Sequence, residues 1–228
     1  SILQNSSGVF SVSQTLSVSA HPIQIAGGDW DSDNDTDLAV LLRDNTLVQI
    51  WLNGGTGTFS KQTTTYTVGS LPMGMISGDW NCDGKQDLAV SNSGDNTLSL
   101  IYGKGTGEFD TPVTISSGRG PGALAAADFD NDSKMDFVVG HHFLVSTNGV
   151  SLLTGDFSLT LSDTSSRTGY GSATSFAATT VKDGSAPAAI VISDVDNDSK
   201  LDILITLPVS KKLAVLSGKL FSGNLSCP

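Results

Sequence analysis

Apolar and polar positions along this chain follow strand spacing, with little helical spacing anywhere. Short β-branched and aliphatic runs alternate with breaks rich in glycine, serine and aspartate, which predicts an all-β fold. The runs come in sets of four strands. A first, apolar strand leads into each acidic break (Ile23–Gly27, Met75–Ser77, Leu124–Ala127, Ala188–Ser193). A second leaves it (Leu38–Leu42, Leu88–Ser91, Phe137–Gly140, Ile203–Leu207), and a third alternates (Leu47–Leu52, Leu98–Tyr102, Val150–Leu153, Leu213–Leu216). Glycine-rich hairpins then turn into a fourth, as at Phe59–Val68 and Phe109–Ser116.

The sets keep a beat. Asp29, Asp79, Asp128 and Asp194 open the acidic breaks at steps of 50, 49 and 66 residues. A Gly-x-Phe marker at Gly8/Phe10, Gly57/Phe59, Gly107/Phe109 and Gly155/Phe157 steps by 49, 50 and 48. A period of this length containing several short strands predicts the blades of a β-propeller.

Charge sharpens the picture. The net charge is −11, and 16 of the 23 acidic residues lie in the four breaks. The first holds Asp29, Asp31, Asp33, Asp35 and Asp37; the second holds Asp79, Asn81, Asp83 and Asp87. The third holds Asp128, Asp130, Asp132 and Asp136, and the fourth Asp194, Asp196, Asp198 and Asp202. So many carboxylates in nine residues repel one another unless a cation intervenes. Four divalent ions would bring −11 to −3 (−11 + 8). Oxygens at positions 1, 3, 5 and 9, with a main-chain carbonyl at position 7, make an all-oxygen cage suited to Ca²⁺ more than Mg²⁺. No Cys/His cluster supports zinc. An EF-hand is excluded, because position 12 is Val40, Val90, Val139 or Ile205 where that loop needs a bidentate Glu. Position 6 is Asn34, Gly84, Ser133 or Ser199, small or turn-forming residues where the chain must bend.

The D-x-[DN]-x-[DN]-x-x-x-D-[LFI]-x-[VI] breaks followed by G-x-G-x-F hairpins resemble FG-GAP/VCBS repeats, as in integrin α-subunit propellers and fungal propeller lectins. The resemblance spans nearly the whole chain. It implies about four Ca²⁺ ions, one per loop, held by the residues at positions 1, 3, 5 and 9 together with the carbonyls of Asp35, Lys85, Lys134 and Lys200. It also implies that ligands meet the opposite face or the clefts between blades. Asn81 stands where a carboxylate is usual, so the second loop is expected to be the weakest site. Asp35 adds a fifth acid to the first, which is expected to depend most on its ion.

One propeller domain is expected over residues 1–228. Residues 1–19 would supply a strand completing the last blade, followed by blades at 20–70, 71–118, 119–186 and 187–228. Four blades closed in this way is the favoured architecture; the alternatives are part of a larger propeller, or an array completed by a neighbouring chain. The third blade carries a Ser/Thr/Gly-rich insertion within 162–186, where Arg167 and Tyr170 are the residues suited to gripping a ligand.

Cys82 and Cys227 permit one intrachain disulfide, a bond to a neighbouring molecule, or two free thiols. Asn5 and Asn224 are credible glycosylation sequons. Trp30 and Trp80 share a loop position with Phe129 and Val195, which reads as packing between blades; Trp51, in a third strand, is expected to be more exposed. His141 and His142 have no partner suggesting chemistry, and no catalytic motif occurs anywhere, so an enzyme is not expected. Twelve scattered cations argue against nucleic acid, and no apolar run is long enough to cross a membrane. Any leader peptide would lie outside this sequence. The expected function is a secreted or cell-surface calcium-binding module that recognises a glycan or protein. Alternatives are a subunit of an extracellular fibre built by strand pairing between identical subunits, and a non-catalytic accessory domain of a carbohydrate-active enzyme.

Overall fold

A computed structural model describes residues 1–129, 135–141, 150–153, 187–208 and 211–216. Sixteen strands are described, and every strand pairing is antiparallel. β1 (Ile2–Ser6) and β2 (Val9–Gln14) make a hairpin. β3 (Pro22–Gly28), β4 (Asp37–Leu42), β5 (Leu47–Asn53) and β6 (Phe59–Thr67) form the first four-stranded sheet. β7 (Pro72–Gly78), β8 (Asp87–Asn92), β9 (Thr97–Ile101) and β10 (Val113–Ser116) form the second. Three strands are described in each of the next two units. These are β11 (Pro121–Ala127), β12 (Asp136–His141) and β13 (Val150–Leu153), then β14 (Ala189–Ser193), β15 (Asp202–Leu207) and β16 (Lys212–Leu216). Each sheet is a meander of neighbours, the blade of a β-propeller. The insertion with Arg167 and Tyr170, the Gly155/Phe157 hairpin, His142, Asn224 and Cys227 lie outside the described residues.

Alternation gives every blade two apolar faces, and neighbouring blades bury them against each other. Met75, Leu88, Val90 and Phe109 of the second blade cover Ala26, Trp30, Ala39 and Ile50 of the first. One step on, Leu124, Phe137 and Val139 cover Trp80, Ala89 and Leu100; another step on, Ile190, Ile203 and Ile205 cover Ala127, Phe129 and Val138. Phe109, from the Gly-x-Phe hairpin, lies 5.8 Å from Trp30 and 5.3 Å from Tyr66, centroid to centroid, and Trp80 meets Phe137 at 5.2 Å. The loop tryptophans are therefore inter-blade packing, as their sequence position implied. Trp51 departs from expectation: it is buried with Val40 and Leu42.

The cause of that burial is the amino-terminal segment. It was expected to complete the last blade, but among the described pairings β2 joins β1 and not β16. Beyond the hairpin, Leu16, Val18 and Ala20 cover Val40, Leu42 and Trp51 on the first blade's upstream face. The Gln14 amide fastens it, donating to Phe59 O at 2.9 Å while its oxygen accepts from Phe59 N at 2.8 Å.

The innermost strands lie close together. Gln24 bonds Met75 through both its amide groups (2.8 and 3.0 Å), and Ser77 Oγ donates to Gly27 O at 2.8 Å, so β3 and β7 run side by side in the same direction. A Cβ on Gly74 would sit 2.6 Å from Gly122 O of β11, which only glycine permits. Each of β3, β7 and β11 begins with proline and has a register irregularity just after it, because proline gives no N–H to the ladder. Before two of these prolines the chain turns left-handed, at Gly120 (φ 64°) and at Leu71 (φ 47°). For leucine that region costs about 1–2 kcal/mol, which glycine avoids.

Candidate metal loops

All four acidic segments join a first strand to a second, at one end of the blades. Three are described in full, and they share one construction. The carboxylate at position 1 accepts two backbone N–H groups, from positions 5 and 6. Asp29 takes Asp33 (3.2 Å) and Asn34 (3.0 Å), Asp79 takes Asp83 (3.1 Å) and Gly84 (2.8 Å), and Asp194 takes Asp198 (3.2 Å) and Ser199 (2.9 Å). The position-5 carboxylate caps the N–H at position 7, as Asp33 does for Asp35 at 2.9 Å. Positions 4 and 6 both take positive φ: Ser32 and Asn34, Cys82 and Gly84, Asn197 and Ser199. Side-chain hydrogen bonds to the local backbone offset the cost of those turns.

Position 9 has a further role. Asp37 is fully buried and accepts Trp30 N at 2.9 Å on one oxygen and Asn53 N at 2.8 Å on the other. Asp87 does the same with Trp80 N (2.8 Å) and Gly103 N (2.7 Å). Asp136 and Asp202 accept Phe129 N (2.8 Å) and Val195 N (2.9 Å). One carboxylate thereby ties the loop to its own sheet and sets the inter-blade aromatic at position 2. Burial raises the Asp87 pKa from 3.8 to about 6 against the pull of those two N–H groups, and raises Asp37 for the same reason. Spacing alone pointed to a metal ligand here and missed the keystone. The signal was present in the β-run that begins at this residue, which makes it the start of a buried strand.

Carboxylate oxygens of Asp29, Asp31 and Asp37 converge within 4.8 Å, as do those of Asp194, Asp196 and Asp202. In the first cluster Asp31 Oδ1 is buried with no hydrogen-bond partner, and burial with the neighbouring Asp37 and Asp33 charges raises its pKa. An orphaned acceptor between two further carboxylates fits a hard cation. The second loop brings no such trio together among the described residues. Asn81 replaces one acid there, and Lys85 Nζ sits 3.1 Å from Asp83. Burial works against it, but the bonds and charge of Lys85 carry Asp83 below its ordinary value. Lys200 approaches Asp198 at 3.6 Å in the fourth loop, whereas the first loop has Asp35 at the same position and no internal cation. Asp128 is buried, while Asp130, Asp132 and Lys134 of the third loop lie outside the described residues. Cys82, in the second loop, is disulfide-bonded.

Comparison with known proteins agrees with this geometry. The family model described as FG-GAP-like repeat matches residues 29–90 and again 79–139. No curated protein matches the chain in sequence. Among solved structures, BBS1N in complex with ARL6DN, soaked with lead, is similar at TM-score 0.51 and 14% identity, covering 92% of this chain and 56% of that one. The mercury-soaked form gives TM-score 0.53, 13% identity, and 92% and 57% coverage. The chain therefore spans little more than half the length of these structures. At such identities the likeness shows the fold, a β-propeller, and the repeat match identifies FG-GAP-like repeats over residues 29–139 of this chain.

Proposed function

We propose that this chain is a non-catalytic recognition module, a propeller whose loops bind Ca²⁺ and whose opposite end meets a protein. The observation that carries this reading is the first acidic loop. Its carboxylates close the backbone of their own turn and leave Asp31 Oδ1 orphaned beside two further acids, an arrangement for holding a cation and not for moving protons. Asp29, Asp31, Asp33 and Asp37 with the Asp35 carbonyl would hold the first ion, and the corresponding residues the others. The ion would neutralise the loop and stiffen it. The similar BBS1N propeller is in complex with a protein, which favours a protein partner over a glycan. The disulfide at Cys82 supports an extracellular address, where calcium is also abundant. Affinity capture with the calcium-loaded protein, repeated in chelator, tests the reading alongside a glycan array. Calcium-dependent protein binding is expected, and binding to glycans alone would overturn the choice of partner.

A second reading, a fibre of identical subunits, has its own observation. Leu3, Val9, Phe10 and Val12 on the hairpin and Val191, Leu213 and Val215 on the fourth blade are exposed apolar residues at opposite ends of the blade stack. Light scattering that shows concentration-dependent polymers favours the fibre; discrete monomers remove it.

The buried position-9 carboxylates give a pH signature. In chelator, Asp87 takes up a proton on folding between pH 3.8 and about 6, so its contribution to stability is present below that window and lost as pH rises through 6. A bound divalent ion favours the carboxylate, and with calcium stability rises with pH over the same range. Melting curves against pH with and without calcium should therefore slope in opposite directions near pH 5–6. Parallel curves would mean that the ion does not sit beside this group.

A further inference from the structure

The phenylalanines of the Gly-x-Phe hairpins in the first two blades face upstream. Asn53 Oδ1 accepts Gly57 N at 3.0 Å, Asn53 pairs across the ladder with Phe59, and Phe59 packs with Trp51 on the first blade's upstream face. Phe109, one repeat on, is buried against Trp30 of the blade before it. The position-2 residue of one blade thus receives the phenylalanine of the next.

The amino-terminal hairpin is built alike. Asn5 Oδ1 accepts Gly8 N at 2.9 Å, Asn5 pairs with Phe10, and Leu3 pairs with Val12. Antiparallel partners share a face, so Leu3, Phe10 and Val12 make one apolar face, the counterpart of the face that carries Trp51 and Phe59. Here it is bare. Phe10 is 65% exposed, and of the residues in the two strands only Ile2 and Gln14 escape full exposure. A two-stranded hairpin open to water on both faces is marginal by itself.

The fourth blade presents the matching surface. Cross-strand pairing puts Val191, Leu204 and Val215 in one row and Leu213 beside Thr206 on the same face. By register Val191, Leu213 and Val215 correspond to Ala26, Val48 and Ile50, which the second blade buries. All three are exposed on the fourth blade, and Val195, the counterpart of the buried Trp30, Trp80 and Phe129, is 46% exposed. β3 packs on β7, β7 on β11 and β11 on β14, and among the described strands no such packing joins β14 back to β3. The fourth blade therefore lacks the upstream face that covers each earlier blade, and the hairpin carries such a face with nothing against it. Residues 1–20 contain no Asp, Glu, Lys or Arg, so the hairpin can approach a protein of net charge −11 without repulsion.

We infer that the amino-terminal hairpin of one copy seats on the fourth blade of a second copy, its Leu3–Phe10–Val12 face on the Val191–Val215 row and Phe10 against Val195. The inference rests on the self-association reading and names the two surfaces it uses. The contact repeats between copies the junction that the first two blades make within one. Hairpin and blade face are different surfaces, so the contact is head to tail and passes from copy to copy.

Sedimentation velocity on the calcium-loaded chain, and on Phe10→Glu and Val215→Glu, tests it. The parent should form larger species as concentration rises, and each variant should lose about tenfold or more in self-affinity. Mixing the two variants restores one competent junction, the hairpin of Val215→Glu on the blade of Phe10→Glu, and should stop at a dimer. Both side chains are exposed in the single chain, so at high dilution the variants should melt with the parent. Larger species that ignore both substitutions overturn these surfaces and leave the fibre standing. A mixture that stays monomeric overturns the pairing of this hairpin with this face. Monomers at every concentration, with Phe10→Glu melting well below the parent, overturn the second copy in favour of closure onto the chain's own fourth blade. Monomers whose melting ignores Phe10→Glu sink this inference and the self-association reading together.

Discussion

Chelating calcium is expected to lower the melting temperature by about 10–20 °C. An ion held at a hundred times its dissociation constant stabilises the folded state by about 2.7 kcal/mol per site. The two loops that bring three carboxylates together, at Asp29/Asp31/Asp37 and Asp194/Asp196/Asp202, then contribute about 5 kcal/mol between them. For a chain of this size each kcal/mol moves the midpoint by about 2–4 °C. The first loop should dominate, since Asp31 Oδ1 has no partner and no lysine relieves its charge. Asp31→Ala should therefore remove a large share of the calcium effect, and Asn81→Ala very little. Scanning calorimetry with and without chelator reads both. Identical melting curves in the two conditions would end the calcium proposal.

Asp87→Ala is expected to destabilise the protein by about 2–6 kcal/mol whether or not calcium is present. The change strips the acceptors from Trp80 N and Gly103 N, and each buried N–H left unsatisfied costs about 1–3 kcal/mol. Trp80 would lose the fixing of its backbone and with it the seat of its ring against Phe137. Asp87→Asn keeps one carbonyl acceptor and should recover part of the loss. Urea denaturation in chelator isolates this scaffold role from metal binding, because a pure ligand would show no penalty there. A penalty that appears only with calcium would make Asp87 a ligand and nothing more.

The blade pattern and the acidic loops were legible in the chain because both are local. Alternation along a strand and oxygens at fixed offsets in a tight turn are set by neighbours in sequence, so Leu38–Leu42 and Asp29–Asp37 announce themselves. The identity of Trp30 and Trp80 as packing residues followed from comparing repeats. The second fourth strand began later than expected, at Val113 where Phe109 was read. Phe109 makes an isolated bridge to Gly103, and Pro112 has no N–H to continue the ladder.

Other features needed contacts between segments far apart in the sequence. A hairpin such as Ile2–Gln14 can join any blade with a free edge or face, and nothing within it names the first blade; Gln14 meeting Phe59 did that. Burial of Trp51 follows from the same choice. The double duty of Asp37 and Asp87 depends on Asn53 and Gly103, brought near by strand pairing across the sheet. The strain at Leu71 was equally hidden, since a leucine before a proline carries no mark of positive φ until the Ser70–Asp95 bonds fix the turn. Sequence alone determined the repeat, its strands and the acidic loops, since short-range stereochemistry writes them. Only the tertiary structure decided which blade the segment after the amino-terminal hairpin covers, which carboxylates are keystones and where a leucine is held at positive φ, since those depend on which distant groups satisfy one another.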